Sequence, residues 1–438
     1  MKIAYLIPGC GVSGGIAVVC QHANRLRRRG HAVYLVSESD ERHIAWFPDQ
    51  QVPIVGLQDF PVELDVLVAT SWSTSFRVAM LPARHKFYFV QSDETRFHPP
   101  GSVWQHMTRL SYAIGFNYLT EARWIQQWLR DGFGHEATLV PNGLDETLFH
   151  PADPIEPKGA RPRILLEGAI ALPYKGMREA FAAVRDIDAE IWCVSSLGKP
   201  EPGWRCDRFF EQVPLAEMRR VYSSCDILLK LSRVEGFFGP PMEMMACGGA
   251  VVVGAVTGHD EYIVDGVNAL VVDPLQPAQA EAAIRHILDD EALRQRLVEN
   301  GRRTATEWRW EPSIDVLEQR FLEVVTGSRH GVPYEPERAA LGQSVAYFYQ
   351  SLLGVDLATS YRLARPSGAC AVPATGGEHD GERPDVSKAV HDGQALMLEL
   401  GATDKLLSWL RRRKLFRKFA ATAWRIYEAA GAARRRRP

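Results

Sequence analysis

The sequence predicts an α/β protein of two consecutive parallel-sheet domains followed by a helical C-terminal extension. Two observations predict it. Apolar, strand-like runs alternate with stretches of helical periodicity, and the alternation restarts after a polar, Pro-rich stretch at 150–162. Strands that alternate with helices imply sheets covered on both faces. The chain's 438 residues suit about two to three domains of ordinary size.

The first series opens with the strand run KIAYLIP, the glycine loop GCGVSGG and a helical stretch from Ile16 to Arg29. Gly30 and His31 stop that helix, and AVYLVS is the next strand. Strands follow at 64–70, 86–91 and 113–120, which makes 1–150 the first domain. The second domain spans 160–326. Its strands are RILLEGA, 189–196, 225–232, 249–256 and 268–274, a helix begins at Met177, and helices at about 277–303 and 312–326 close it. Residues 327–438 form the extension, with a helix at 341–354, a linker at 366–392 rich in Pro, Gly and acidic residues, and a basic amphipathic helix at 403–430.

The composition, 46% hydrophobic and 24% charged, is that of a globular protein. The formal net charge of −2 hides an asymmetry: residues 401–438 carry +10 and the remaining 400 carry −12. The seven cysteines are scattered and form no C-x-x-C pair, which excludes a zinc framework and fits a reducing compartment. The N-terminus shows a strand and a glycine loop rather than a signal-peptide pattern, and no apolar run is long enough to cross a bilayer. A cytoplasmic protein is expected.

The most informative stretch is EGFFGPPMEMMACGGAVV, 235–252. Gly236 and Gly239 leave backbone N–H groups uncovered, and Pro240 and Pro241 suit the start of a helix, where no internal donor is needed. Such a junction attracts anions and hydroxyl-rich ligands. Glu235 precedes the turn and Glu243 falls in the first helical turn; each carboxylate can accept hydrogen bonds from the neighbouring hydroxyls of a sugar diol. The alternative reading is that Glu235 caps the loop and Glu243 complements the helix dipole.

The pattern E-G-F-x-G-x-P-x-E-x-M-A-C-G resembles glycosyltransferase family 4. Other segments resemble that family in the same order: 13–33, LVPNGLDETLFHP at 139–151, Lys175-Gly176, 213–232 and 257–274, so the resemblance covers about 1–326. It implies a GT-B fold, two Rossmann-like domains facing across a cleft. It further implies that Glu235, with backbone groups of Gly236, Phe237, Phe238, Gly239 and Pro240, binds the donor sugar, and that Glu243 binds the ribose. Lys175 would balance the diphosphate, and Gly14 and Gly15 would let a helix N-terminus approach it. The implied activity is retaining transfer of a hexose or deoxyhexose from a nucleotide-diphosphate sugar to a glycan, glycolipid or other glycoconjugate. The alternatives are another GT-B chemistry, such as sugar-nucleotide epimerisation, and a non-catalytic partner subunit. No cofactor is expected, and no Asp-x-Asp triplet is present to carry a metal.

The sequence departs from the family at two places. Ala169 stands where many members have an arginine, with Arg163 and Arg178 nearby in sequence. Gln91 stands where a histidine is frequent, in FYFVQSDETRFHP. Glutamine is no general base, so proton handling falls to the departing phosphate or to Asp93 or Glu94; His98 completes the polar group on the acceptor side. The alternative for Asp93 is a local Asx turn. VQSDE is similar to members that build bacterial surface polysaccharides, rhamnosyltransferases among them. His259 is expected in a turn, and Glu261 to cap or orient the helix after it. The tail, with Leu406, Leu410, Phe416, Phe419 and Tyr427 on one face and arginines over the rest, suits either an anionic membrane surface or packing on the enzyme or a partner protein. Nucleic acid is not expected, since no recognition module accompanies the arginines.

Overall fold

The computed structural model describes residues 1–328. The helices expected at 341–354 and 403–430 and the linker at 366–392 lie outside the described residues. Within them are two all-parallel sheets. The first has seven strands: β1 (Lys2–Ile7), β2 (Ala32–Ser37), β3 (Ile54–Gly56), β4 (Val66–Ala69), β5 (His85–Val90), β6 (Asn117–Thr120) and β7 (Ala137–Leu139). The second has six: β8 (Arg163–Glu167), β9 (Glu190–Ser195), β10 (Arg208–Glu211), β11 (Ile227–Lys230), β12 (Ala250–Gly254) and β13 (Leu270–Val272).

The strand orders are β3-β2-β1-β4-β5-β6-β7 and β10-β9-β8-β11-β12-β13. Both run outward in one direction from the first strand and then reverse. That is the Rossmann order, and it opens a crevice at the strand ends beside the reversal. In the second domain the reversal falls between β8 and β11, paired as Ile227 with Ile164 and Leu229 with Leu166. Burial on both faces explains the unbroken apolar runs. Leu165, Leu228 and Val251 belong to one core of the second sheet, while Ile164, Leu166, Ile227 and Val252 belong to the core on its other face.

The chain crosses between domains earlier than the Pro-rich stretch suggested. Val140 packs in the first core and Phe149 in the second. The stretch after Phe149 runs along the second domain, with the backbone N–H groups of Ala152 and Ile155 donating to Ser223 and Ser224 at 3.1 and 2.9 Å. The return crossing is close by, where the Leu144 N–H donates to the Trp308 carbonyl at 2.7 Å. The helix Trp310–Thr326, expected to close the second domain, instead puts Trp310, Ile314, Leu317, Phe321 and Val324 into the core of the first. Among the described residues no helix is long and apolar enough to cross a membrane.

Candidate functional site

The second domain brings its charges together at the β8/β11 reversal. Lys230, the last residue of β11, is 2% exposed in an otherwise apolar strand. Its Nζ donates to the Glu167 carbonyl at 3.1 Å and also to the Glu167 carboxylate, at the end of the neighbouring β8. The same Nζ stands 3.9 Å from Glu235 Oε1, which accepts from Lys175 Nζ at 2.8 Å. Burial disfavours ionisation of Glu235, but Lys175 and Lys230 outweigh it and hold the carboxyl below the usual range.

Lys175 reaches Glu235 because of Gly176. The turn Pro173–Lys175 ends there at φ +64°, and a β-carbon would stand 1.9 Å from the Leu231 carbonyl oxygen. A side chain is excluded both by the left-handed backbone and by the close approach. Of the other two cations considered, Arg163 begins β8, at the end away from the crevice, and pairs with Glu156 and Glu190. Arg178 pairs with Glu201. Neither replaces an arginine at the position of Ala169, which is itself buried. Lys230 is the cation that shares Glu235 with Lys175.

The helix Gly239–Ala246 starts as expected, with Pro240 and Pro241 in a turn that needs no internal donor. Glu243 corrects the expectation slightly, for it follows the first turn rather than lying in it. Its Oε2 accepts from the Tyr222 hydroxyl at 2.8 Å, and burial pushes its carboxyl up to about 7. Phe237 packs on Tyr262 and Trp308, and Phe238 is fully buried, its carbonyl accepting from the Tyr262 hydroxyl. Both side chains belong to the packing.

The first domain contributes the start of helix Gly14–Arg28. Its N-cap residue Ser13 makes no side-chain cap, and Gly14 is exposed. Gln91 lies against it: a β-carbon at Gly15 would stand 3.0 Å from Gln91 Oε1. That oxygen is buried without a hydrogen-bond partner, while Nε2 donates to the Thr70 carbonyl at 3.2 Å. The Gln91 carbonyl oxygen in turn would stand 1.7 Å from a β-carbon at Gly236. Gly15, Gln91 and the Glu235–Gly236 turn are therefore contiguous across the two domains.

The remaining acceptor-side candidates are engaged within the first domain. Asp93 takes the local reading, its Oδ1 accepting from the Thr95 N–H at 3.1 Å and the Thr95 hydroxyl at 2.5 Å. Glu94 accepts from the Trp72 N–H at 2.7 Å and the Tyr88 hydroxyl at 2.9 Å, and burial pushes it up to about 7. His98 packs edge-on to Trp72, and burial lowers it to about 4, so it is neutral near pH 7. His259 sits in a turn with Nδ1 2.5 Å from the Val256 carbonyl. Glu261 does cap a helix, but one of the other domain: it accepts from the Arg123 and Trp124 N–H groups at 2.6 and 3.3 Å.

Sequence reasoning missed Glu167, Lys230, Glu121 and Trp124. The last two come from the end of β6 and the helix after it. Glu121, 5% exposed, accepts from the Phe237 N–H at 3.0 Å and from Asn142 Nδ2 at 2.9 Å. Trp124 Nε1 donates to the Gly236 carbonyl at 2.8 Å. The first domain thus grips the glutamate loop by its backbone.

Burial pushes Glu121 up to about 8; the charge of Glu235 adds to this, against the hydrogen bonds from Asn142 and Phe237. A folded pKa above the ordinary value means stability is fully present below pH 4.5, falls as pH rises toward 8, and is flat above. Glu121→Gln should remove that fall. Its amide can still accept from Phe237 and can donate to Asn142 Oδ1, which has no partner in the wild type. Between pH 5 and 8.5 the variant should gain roughly 1–3 kcal/mol on the wild type in denaturant titrations. Parallel pH curves would refute the assignment.

Comparisons with known proteins bear on this geometry. Residues 208–304 match the family model described as Glycosyl transferases group 1. The O-antigen biosynthesis protein RfbC of Myxococcus xanthus is 25% identical over 286 residues, 63% of this chain. The chain covers only 22% of that larger protein. Sucrose-phosphate synthase from Thermosynechococcus elongatus has a TM-score of 0.62 at 17% identity, covering 75% of this chain and 100% of that one. Anabaena Alr3699/HepE, solved in complex with UDP-glucose, has a TM-score of 0.59 at 16% identity, covering 75% and 100%. The segment with the glutamate loop is therefore a glycosyl transferases group 1 domain, carried by this chain on a two-domain GT-B fold.

Proposed function

We propose that this chain is a retaining glycosyltransferase that moves a hexose or deoxyhexose from a nucleoside-diphosphate sugar to a glycan, glycolipid or other glycoconjugate of a bacterial surface polysaccharide. The observation that carries the reading is the Lys175–Glu235 pair at the mouth of the crevice, contiguous through Gly236 and Gln91 with the uncapped start of helix Gly14–Arg28. An ammonium and free helix N–H groups suit a diphosphate, and ionised Glu235 suits sugar hydroxyls. Glu243, which accepts from the Tyr222 hydroxyl, would bind the ribose. The O-antigen name of the Myxococcus relative and the UDP-glucose of the Anabaena structure support the substrate class.

As the bond from the anomeric carbon to the diphosphate breaks, the leaving oxygen gains the charge that Lys175 and the helix start stabilise. The acceptor hydroxyl attacks the same face of the sugar and passes its proton to that departing oxygen. Three features favour this route. Gln91 is no base, Asp93 is committed to Thr95, and Glu94 is committed to Trp72 and Tyr88.

Thermal denaturation of the purified protein with UDP-, GDP- and dTDP-sugars tests the reading. Stabilisation follows RT ln(1 + [L]/Kd), about 2.7 kcal/mol at 100 Kd. With the donor so identified, the product sugar should keep the donor's anomeric configuration by NMR. No stabilisation by any donor would overturn the function, and an inverted product would overturn retention.

A further inference from the structure

The crevice holds two ammonium groups on one carboxylate oxygen, and their freedom differs. Lys175 Nζ sits 2.8 Å from Glu235 Oε1 on a side chain 22% exposed, at the end of a turn. Lys230 Nζ sits 3.9 Å from the same oxygen on a side chain 2% exposed, fixed in a strand and anchored twice on Glu167. Lys175 is the more accessible of the two and Lys230 the more constrained.

We propose that Lys230 is a positioning residue: it keeps a positive charge beside Glu235 so that Lys175 can leave that carboxylate for the donor's diphosphate. The inference rests on the glycosyltransferase reading. Glu235 is 11% exposed, and a carboxylate stripped of its partner in such a place is strongly unfavourable. Were Lys175 its sole counter-ion, binding the phosphates would leave that charge uncompensated, and the ion pair would compete with the ligand. The other titratable groups facing Glu235 are Glu121 from the first domain, Tyr174 beside Lys175, and Tyr262, and none supplies a positive charge. Glu167 completes the device. It neutralises Lys230 enough to keep it in the strand, while its carbonyl and carboxylate aim the ammonium across the β8/β11 reversal. In this arrangement Lys175 exchanges one anion for another and Glu235 stays ionised throughout.

The test is calorimetric binding of UDP and of uridine to the full chain (GDP and guanosine if the wild type takes only GDP). Lys230→Met should weaken UDP roughly 10- to 100-fold, the range of a lost charge-assisted hydrogen bond, and leave uridine unchanged, because Lys175 stays locked on Glu235. Adding Glu235→Gln to Lys230→Met should then restore UDP affinity, since nothing holds Lys175 back. A merely structural Lys230 would not be rescued by removing a second charge. Should Lys230→Met fail to fold, Lys230→Met with Glu167→Gln removes the orphaned carboxylate and permits the same comparison. Equal losses for UDP and uridine, or no rescue by Glu235→Gln, overturn the proposal while the glycosyltransferase reading stands. A wild type that binds no nucleoside diphosphate takes both down.

Discussion

Glu235→Gln is expected to slow sugar transfer about 100- to 1,000-fold while leaving the melting temperature within a few degrees of the wild type. Glutamine keeps the shape and an acceptor oxygen but loses the charge that Lys175 and Lys230 hold in place. The stability cost is small because neither cation is stranded: Lys175 is 22% exposed and can reach water, and Lys230 keeps Glu167. The loss should appear in kcat with the donor identified by the thermal screen, since the diphosphate is expected to meet Lys175 and the sugar hydroxyls Glu235. Glu243→Gln should be milder, about tenfold and mainly in KM. Burial pushes its carboxyl up to about 7, and the Tyr222 hydroxyl can donate to an amide oxygen as well. A Glu235→Gln enzyme within fivefold of wild type would remove this glutamate from the mechanism.

What the sequence reveals here follows from what is local. Central strands such as β8 and β12 are legible because burial on both faces demands an unbroken apolar run. The strands that escape notice, β3, β7 and β10, are three or four residues long and lie at sheet edges, where no such demand operates. Periodicity finds the helix Trp310–Thr326 but does not say which sheet its apolar stripe covers. Glu235, Glu243 and Lys175 stand out because glycines and prolines mark the turns that carry them. Lys230 ends an apolar strand with no such mark, and Glu167, though Gly168 follows it, meets Lys230 only because the two strands adjoin at the reversal of order. Glu121 is equally silent, since its partner, the Phe237 N–H, belongs to the other domain. For Asp93 the local turn and the cleft role use the same residues, so geometry alone separates them.

Gly236→Ala carries the second large effect, about 100-fold or more on transfer, and its neighbour Gly239→Ala provides the contrast. A β-carbon at Gly236 would stand 1.7 Å from the Gln91 carbonyl oxygen and 2.8 Å from Glu121 Oε1, so something must move. Both obstacles belong to the first domain, and each domain's core is complete without this contact. The relief is therefore taken at the seam, which parts and loses the Glu121–Phe237 and Trp124–Gly236 hydrogen bonds. Displacement of about 1 Å at a reacting centre is enough for a 100-fold loss. At Gly239 the nearest atom to an added β-carbon is Glu243 Oε1 at 3.8 Å, an ordinary contact, and that residue opens a helix, where alanine is at home. Gly239→Ala should then keep the seam intact and lose less than Gly236→Ala, its loss confined to the backbone groups expected to meet the donor sugar. Initial rates of the two variants, with circular dichroism to verify that both are folded, decide the matter: a Gly236→Ala enzyme as active as Gly239→Ala would mean that the two domains do not need to meet at this turn for transfer to occur.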